Sequence, residues 1–515
     1  MRSVVKTAAM RSAAMSWVAL LVVLAGCNGG SHGAGTDQHT GRSGRPTGTS
    51  ASASSTRDVI ASAPLALAEG KARVDLLSVD RGSANSVVVR WREVNEGNES
   101  FSGSGDFTPQ FVTPGAGNVR GVTLVDLVTN KRYYPRVQAD QSQSCLCTKI
   151  DSYLQVGQSK EMFAVFPAPP PDVKTVTVAM PLAPAFTNVR VGDGPVAMPD
   201  GLDPGKLQLA PPQIDPLIST IDGDEESVDD GDEQRVELSS DVLFAYNKAD
   251  VTPKAKAILT GVAKKIDASP SSTVKIDGHT DSSGSDAVNK PLSKRRAESV
   301  ERELRGLVTR KGVGYQTAGY GSTKPIANNN TAEGRKKNRR VTVTFARPKP
   351  PAVKPTAPAS PPSTAPSGRP IATAQPVDPK LQSVKVDINA LTRDPSGLTQ
   401  LTWTLTSTGS EKFAALMFSQ TGNTAAKIDY FKDRNYKGGL TAGVTLYDET
   451  GRLRYWTLRD KNNYCLCFDS MAIGKVNFSQ GESATYYNLF KVPPEVRSIT
   501  VEIPGYAPVK NLSLG

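Results

Sequence analysis

The strongest constraint on the fold of this 515-residue chain is a duplication inside it. Val74-Asp75, Trp91 and Gly97 recur in the same order as Val386-Asp387, Trp403 and Gly409, each 312 positions further along. Gly121-Val122-Thr123-Leu124 with Arg132-Tyr133 recurs as Gly443-Val444-Thr445-Leu446 with Arg454-Tyr455. Cys145-Leu146-Cys147 returns as Cys465-Leu466-Cys467, and Pro170-Pro171-Asp172-Val173 as Pro493-Pro494-Glu495-Val496. Landmarks repeated in order imply one unit present twice, over residues 71–185 and 383–515. In each copy apolar residues alternate, as in Val87-Val88-Val89-Arg90-Trp91 and Leu401-Thr402-Trp403-Thr404-Leu405. Short strands without a helical period predict two homologous all-β sandwiches of immunoglobulin-like type, each with its tryptophan buried on an early strand.

The paired cysteines are the chemical feature of each copy. Residues i and i+2 of a strand face the same way about 6.6 Å apart, near the upper limit for a disulfide. A slight bend would join Cys145 to Cys147 and Cys465 to Cys467, with a bridge between copies, a metal site or free thiols as alternatives. No basic or helix-terminal surroundings are evident that would activate a thiolate.

The fifth cysteine has a different context. Arg2, Lys6 and Arg11 precede an apolar run, Trp17 to Leu24, too short for the ~20 residues that span a bilayer. Residues 1–27 therefore read as an export signal. Leu24-Ala25-Gly26-Cys27 resembles the lipobox of bacterial lipoproteins, which implies that Cys27 is diacylated and becomes the N-terminus. Export places the other four cysteines in a compartment that permits disulfides. Residues 28–70, dominated by Gly, Ser, Thr and Ala, read as a flexible tether.

Two linkers are expected. Residues 186–235 combine prolines with the acidic run Asp222 to Glu233. Asp222, Asp224, Glu226 and Glu233 match positions 1, 3, 5 and 12 of a calcium loop, but Ser227 takes the glycine position and no helices flank it. The run therefore reads as a solvated linker. Residues 348–382, rich in Pro, Ala and Lys, predict an extended spacer at ~3.1 Å per residue that keeps its neighbours tens of ångströms apart.

The middle unit, residues 236–347, has another pattern. Val242-Leu243-Phe244 reads as a strand, and Ala255, Ile258, Leu259, Val262, Ala263 and Ile266 follow Pro253 at helical spacing. Val274-Lys275-Ile276 reads as a strand, 289–307 as a helix, and 316–320 and 340–345 as strands. The order βαβαββ predicts a central α/β sandwich flanked by the two β-sandwich copies.

Gly278-His279-Thr280-Asp281-Ser282-Ser283-Gly284, followed by Asn289, Leu292-Ser293 and Arg295-Arg296-Ala297, resembles the signature of OmpA-like C-terminal domains, shared with the Pal and MotB peptidoglycan-binding modules. Gly319-Tyr320-Gly321, Pro325, Asn328, Glu333-Gly334-Arg335 and Asn338-Arg339-Arg340-Val341 match the second half of that signature. The resemblance implies a module that holds the diaminopimelate residue of a peptidoglycan stem peptide without cutting it. It assigns Asp281 to the ligand's ammonium and Arg296 to its carboxylate, a two-pronged pairing that lysine cannot offer. It gives Asn289, Leu292 and Ser293 the shaping of the loop, Asn338 and Arg339 the other rim, and His279 a structural place.

Charge agrees with this reading. Residues 236–347 hold 21 Lys+Arg and 11 Asp+Glu, so nearly all of the chain's net charge of +11 sits in this unit. An exported basic domain faces an anionic wall and not nucleic acid. Three histidines leave little material for histidine-based catalysis. The expected protein is a non-catalytic envelope lipoprotein without cofactor or metal. It would be tied to peptidoglycan, to a membrane through Cys27 (the cell membrane rather than the outer membrane), and to a protein partner through the β copies. The alternatives are a thiol-disulfide oxidoreductase or wall-modifying enzyme using the Cys-Leu-Cys pairs, and an OmpA-like subunit of a secretion or motility complex.

Overall fold

The computed structural model describes residues 59–65, 72–98, 100–102, 119–139, 144–149, 153–193, 203–221, 225–230, 233–347, 369–410, 413–414, 441, 443–450, 453–461, 464–467 and 477–514. Cys27 and the expected signal and tether lie outside them. No helix among the described residues is long and apolar enough to cross a membrane.

The two β-rich segments follow the same strand plan. In the first, Ala61–Pro64, Ala72–Gly82, Ser86–Asn95 and Ser159–Pro167 form an antiparallel sheet in that order. In the second, Ala372–Ala374, Val384–Arg393, Leu398–Ser407 and Ser483–Lys491 do the same. Leu76 pairs with Trp91 and Ile388 with Trp403, and in both hairpins the register shifts immediately after that pair. Leu124 lies between Tyr133 and Val178 in one second sheet, as Leu446 lies between Tyr455 and Val501 in the other. Trp91 and Trp403 are fully buried.

Both segments are all-β, but their first sheets do not follow the immunoglobulin order, in which strands A, B, E and D share a sheet. Here the second and third strands stay adjacent because a tight turn joins them, in the first segment with Ala84 and Asn85 both at φ +52° and in the second with Gly397 at φ +87°. The Cys-Leu-Cys segments lie against the fourth strand, where Cys147 bridges to Ala164 and Cys467 to Asn488. Cα separations of 5.2 Å within the first pair and 5.3 Å within the second fall inside the disulfide range.

The stretch expected as linker 186–235 contains strands. Ile214–Ile221 pairs with the first segment at Ile214–Tyr133 and with the second at Leu217–Asp460 and Ile221–Tyr455. Its next neighbour, Glu225–Asp230, pairs in turn with Glu233–Ser239 of the middle unit. The part of the acidic run over Glu225–Asp230 therefore continues a sheet, and Arg459 contacts Glu226 at 2.8 Å.

The second segment also lies against the first. They share one apolar cluster that includes Trp91, Phe186, Trp403 and Phe490. Tyr487 donates a hydrogen bond to the Met180 carbonyl, and both Tyr134 and Arg132 donate to the Asp460 carboxylate. The expected separation by a long spacer is not what the fold shows. Only two strands, at about 4.8 Å per strand, separate Glu233–Ser239 of the middle unit from Arg459–Asp460.

The middle unit is α/β. Its strands run Glu233–Ser239, Arg340–Ala346, Thr273–Gly278 and Gly314–Gly319, the last two parallel. Helix α1 is a single turn, Ser240–Leu243, so the first strand precedes Val242-Leu243-Phe244. Leu243 and Phe244 belong to the core beneath helix α2 (Pro253–Ala268), and the buried alternation belongs to Val236 and Leu238. Helix α2 starts as its sequence requires: Thr252 caps the Ala255 amide, Pro253 takes the first turn, and the six spaced apolar residues are buried. Helix α3 (Asp286–Leu307) lies against the sheet, and a short helix α4 (Ala332–Asn338), capped by Thr331, interrupts the expected βαβαββ order.

Candidate functional site

Two glycines fix where α3 lies. A Cβ on Gly278 would stand 2.0 Å from the Ser293 carbonyl oxygen, and one on Gly319 2.4 Å from the Lys294 nitrogen. Glycine at both strand ends lets α3 cross against bare backbone. Ser293 fastens the crossing: its hydroxyl accepts from the Gly321 amide at 2.9 Å and donates to the Lys290 carbonyl. Leu292 is buried beside it, and Arg296 follows about one turn later.

Asp281 sits in the loop between Thr273–Gly278 and α3. The loop is held by Asn289, whose Nδ2 donates to the Ser283 carbonyl at 3.0 Å, and by Gly284 at φ +88°. Asp281 Oδ1 accepts from the Ser283 amide at 2.8 Å, and Oδ2 from Arg339 Nη1 at 2.7 Å. The same guanidinium forks onto Asp241, Nε to Oδ1 at 2.8 Å and Nη2 to Oδ2 at 2.7 Å. Arg339 thus clamps two carboxylates, one from α1 and one from the loop after Gly278.

Arg296 completes the group. It is buried, its Nε donates to the Lys248 carbonyl at 3.0 Å, and its guanidinium lies 5.2 Å from the centre of the Phe244 ring. Its two Nη groups make no hydrogen bond or ion pair with any described residue. The cluster holds two carboxylates and two guanidinia, so it offers a partner to each charge of a zwitterion.

The protonation states suit that role. Burial pushes the Asp281 carboxyl up, but the hydrogen bonds from Arg339 and Ser283 outweigh it and hold the carboxyl below its ordinary value. Stability from this pairing is therefore complete above about pH 3.9, the unfolded carboxyl value, and is lost as pH falls through the lower folded one. Burial draws Arg296 below the ordinary arginine range, although a guanidinium stays charged at any relevant pH. The Asp241 hydrogen bonds raise Arg339.

Asn338 and His279 are internal. Asn338 Oδ1 accepts from the Ile326 and Ala327 amides, and its Nδ2 donates to the Ala327 carbonyl and to Asn329 Oδ1. Asn329 Oδ1 in turn accepts from the Ser282 amide at 3.2 Å. Asn338 therefore braces the rim from inside. The His279 ring stacks 5.4 Å from Tyr320, and burial with the charges of Arg340 and Lys324 pushes its imidazole down to about 3. It is neutral at physiological pH.

The structure thus brings Asp281, Arg296 and Arg339 together, supports them with Asn289, Leu292 and Ser293, and adds Asp241. Asp241 was missed because it stands beside Val242-Leu243-Phe244, read as a strand, and its partner is 98 positions away.

Comparison with known proteins bears on the middle of the chain. Peptidoglycan-binding protein ArfA of Mycobacterium tuberculosis is 43% identical over 104 residues, 20% of this chain and 31% of that protein. Outer-membrane lipoprotein YfiB of Pseudomonas aeruginosa is 38% identical over 108 residues, 21% of this chain and 62% of that protein. The chain thus spans less than two thirds of either relative. Among solved structures, the cell wall anchor of the T6SS from Pseudomonas aeruginosa is 29% identical, covering 24% of this chain and 88% of that one at a TM-score of 0.23. The OmpA family itself matches residues 243–339, which hold every site residue named above except Asp241. The middle of this chain, residues 243–339, is an OmpA family domain.

Proposed function

We propose that this protein is a non-catalytic anchor of the cell envelope whose OmpA-like domain holds peptidoglycan through the diaminopimelate residue of a stem peptide. One observation carries the reading: the buried Arg296, with two Nη groups unengaged by any described residue, feels the charge of the two carboxylates that Arg339 has already ordered. The free end of diaminopimelate bears an ammonium and a carboxylate on one carbon. Its carboxylate would take the Nη groups of Arg296, and its ammonium the remaining lone pairs of Asp281 and Asp241. Charge-assisted hydrogen bonds of this kind contribute about 1.5–3 kcal/mol each. The relative named as peptidoglycan-binding and the basic charge of the domain support the same ligand. The test is competition on isolated peptidoglycan. A diaminopimelate-containing stem peptide should release the bound full chain, and the same peptide with lysine in that place, whose free end is an ammonium without a carboxylate, should not. Release by salt alone, indifferent to either peptide, overturns the reading.

Cys27 would carry the lipid that holds the chain on the outer face of a membrane, in keeping with the relative named as a lipoprotein. Each Cys-Leu-Cys pair would be closed as a structural disulfide, as the short Cα separations permit. Intact mass spectrometry of protein purified from its own cells reads both. A diacyl adduct at Cys27 is expected, with Cys145, Cys147, Cys465 and Cys467 alkylated only after reduction; alkylation before reduction contradicts the disulfides. The β copies, joined to the domain through a continuous sheet, would serve as its arm and offer surface to a protein partner.

A further inference from the structure

The duplication gives both β copies the same second sheet, so each position in one has a match in the other. In the first copy that sheet receives the second copy. Arg132, whose Nε donates to Thr123 Oγ1, joins Tyr134 in donating to the Asp460 carboxylate, and the Tyr487 hydroxyl donates to the Met180 carbonyl. In the second copy Thr445 pairs with Trp456 and with Glu502, as Thr123 pairs with Ala179 in the first. Arg454 and Trp456 hold the places of Arg132 and Tyr134, and Ile503 that of Met180. Thr445, Arg454, Trp456 and Ile503 line one pocket of about 340 Å³, together with Glu502 and Tyr506. The surface by which the first copy is joined to the second is thus present a second time, as a pocket.

The two versions differ in where the carboxylate comes from. The first copy has Ala179 and takes its carboxylate from Asp460 of the other copy. In the second, Glu502 accepts from Arg454 Nε at 2.7 Å and Nη2 at 3.0 Å, and from Thr445 Oγ1 at 2.7 Å. The acid's place is therefore taken from within, and what the pocket offers a visitor is the aromatic place that Tyr487 takes in the first copy. Its volume is near the lower bound of ligand sites, about 300 Å³, which suits a side chain and not a folded face.

We infer that this pocket is a docking site for an uncharged aromatic side chain, a tyrosine above all, on a segment of a partner protein. Buried aromatic anchors with a polar tip dominate such contacts. The inference deepens the protein-partner part of the reading above and is independent of the peptidoglycan site. A second copy of this chain is the poorer occupant. Its first β copy would have to present Phe163 and Gln138, the matches of Tyr487 and Asp460, and both are already engaged: Phe163 packs with Leu207 and Leu209, and Gln138 bridges to Leu209.

The test uses the full chain labelled with fluorotryptophan, read by fluorine NMR, with the core residues Trp91 and Trp403 as folding controls. N-acetyltyrosinamide should shift the Trp456 signal saturably and leave the other two unmoved. N-acetyltyrosine, the same ring with a carboxylate, should bind about fivefold more weakly, because Glu502 already neutralises Arg454. Glu502→Gln, which gives the second copy the charge arrangement of the first, should reverse that order by about the same factor. If the control signals report that this variant is unfolded, the wild-type comparison decides alone. A Trp456 signal unmoved by N-acetyltyrosinamide, or a wild type that does not prefer the amide, overturns the inference. Binding of free p-cresol without N-acetyltyrosinamide makes the pocket a site for small phenols and overturns it too. So does self-association of wild type that N-acetyltyrosinamide disperses, which gives the pocket to a second copy. Retention on peptidoglycan is measured separately, so none of these failures is a failure of the wall reading.

Discussion

Arg296→Ala in the full chain should lower affinity for a diaminopimelate-containing stem peptide by about 30-fold or more, with a smaller loss of stability from the bond to Lys248 and the packing on Phe244. The two effects separate because of how Arg296 is held. Within the protein its guanidinium gives one hydrogen bond, to the Lys248 carbonyl, a bond worth about 1 kcal/mol. Towards the ligand it would give its two remaining nitrogens to a carboxylate in a buried setting, where removing one partner of a charge pair costs about 2–5 kcal/mol. Arg296→Lys should recover only part of the loss, since an ammonium keeps the charge and loses the fork. Isothermal titration with the peptide checks both variants. Affinity unchanged in Arg296→Ala removes Arg296 from the site.

The second large effect is expected at Gly278→Ala. The added methyl would meet the Ser293 carbonyl oxygen at 2.0 Å and its carbon at 2.7 Å, both backbone atoms of a helix that cannot rotate aside as a side chain can. Relief requires α3 to move off the sheet, at a cost of about 3 kcal/mol, the upper end of the usual overpacking penalty. Because Arg296 lies on the same helix, ligand affinity should fall with stability. Gly261→Ala in α2 and Gly306→Ala in α3 supply the contrast, as an added methyl there meets nothing within 4 Å. These two should be neutral or stabilise by about 0.5–1 kcal/mol, because alanine loses less backbone entropy in a helix. Denaturant midpoints of the three variants decide the matter, and a Gly278→Ala midpoint equal to wild type means that α3 does not approach as closely as described.

Local signals were legible in the sequence where partners are near in the chain. Helix α2 shows its cap, its proline and its apolar period within 16 residues, and the structure follows them. Asp281 and Arg296 stand in one ordered signature, so their neighbourhood could be read. Long-range pairings left no such mark. Strand Ile214–Ile221 finds its distant partners at Lys131–Tyr133 and at residues 455 to 460, and its own Pro216 and the acids after it hide the alternation. Asp241 gave no sign because a carboxylate beside an apolar run reads as an ordinary surface residue. Its significance comes from Arg339, which reaches it across 98 positions. The polar composition of α4, Ala332 to Asn338, gave no apolar period to read, and its cap at Thr331 is the one local cue.

The strand Ile214–Ile221 also sets the order in which this protein can be completed. It is synthesised long before Leu453–Trp456 and Arg459–Asp460, which later pair with the end of its edge beyond Pro216. Until the C-terminal copy emerges, that edge offers unpaired amides and carbonyls to any extended chain nearby, the usual opening for strand-to-strand aggregation. Contacts of such high sequence separation also slow folding, because the loop between them must close before they contribute. The two β copies are therefore not independent modules: the strand that joins the first to the second acquires its remaining partners only when residues 453–460 have folded.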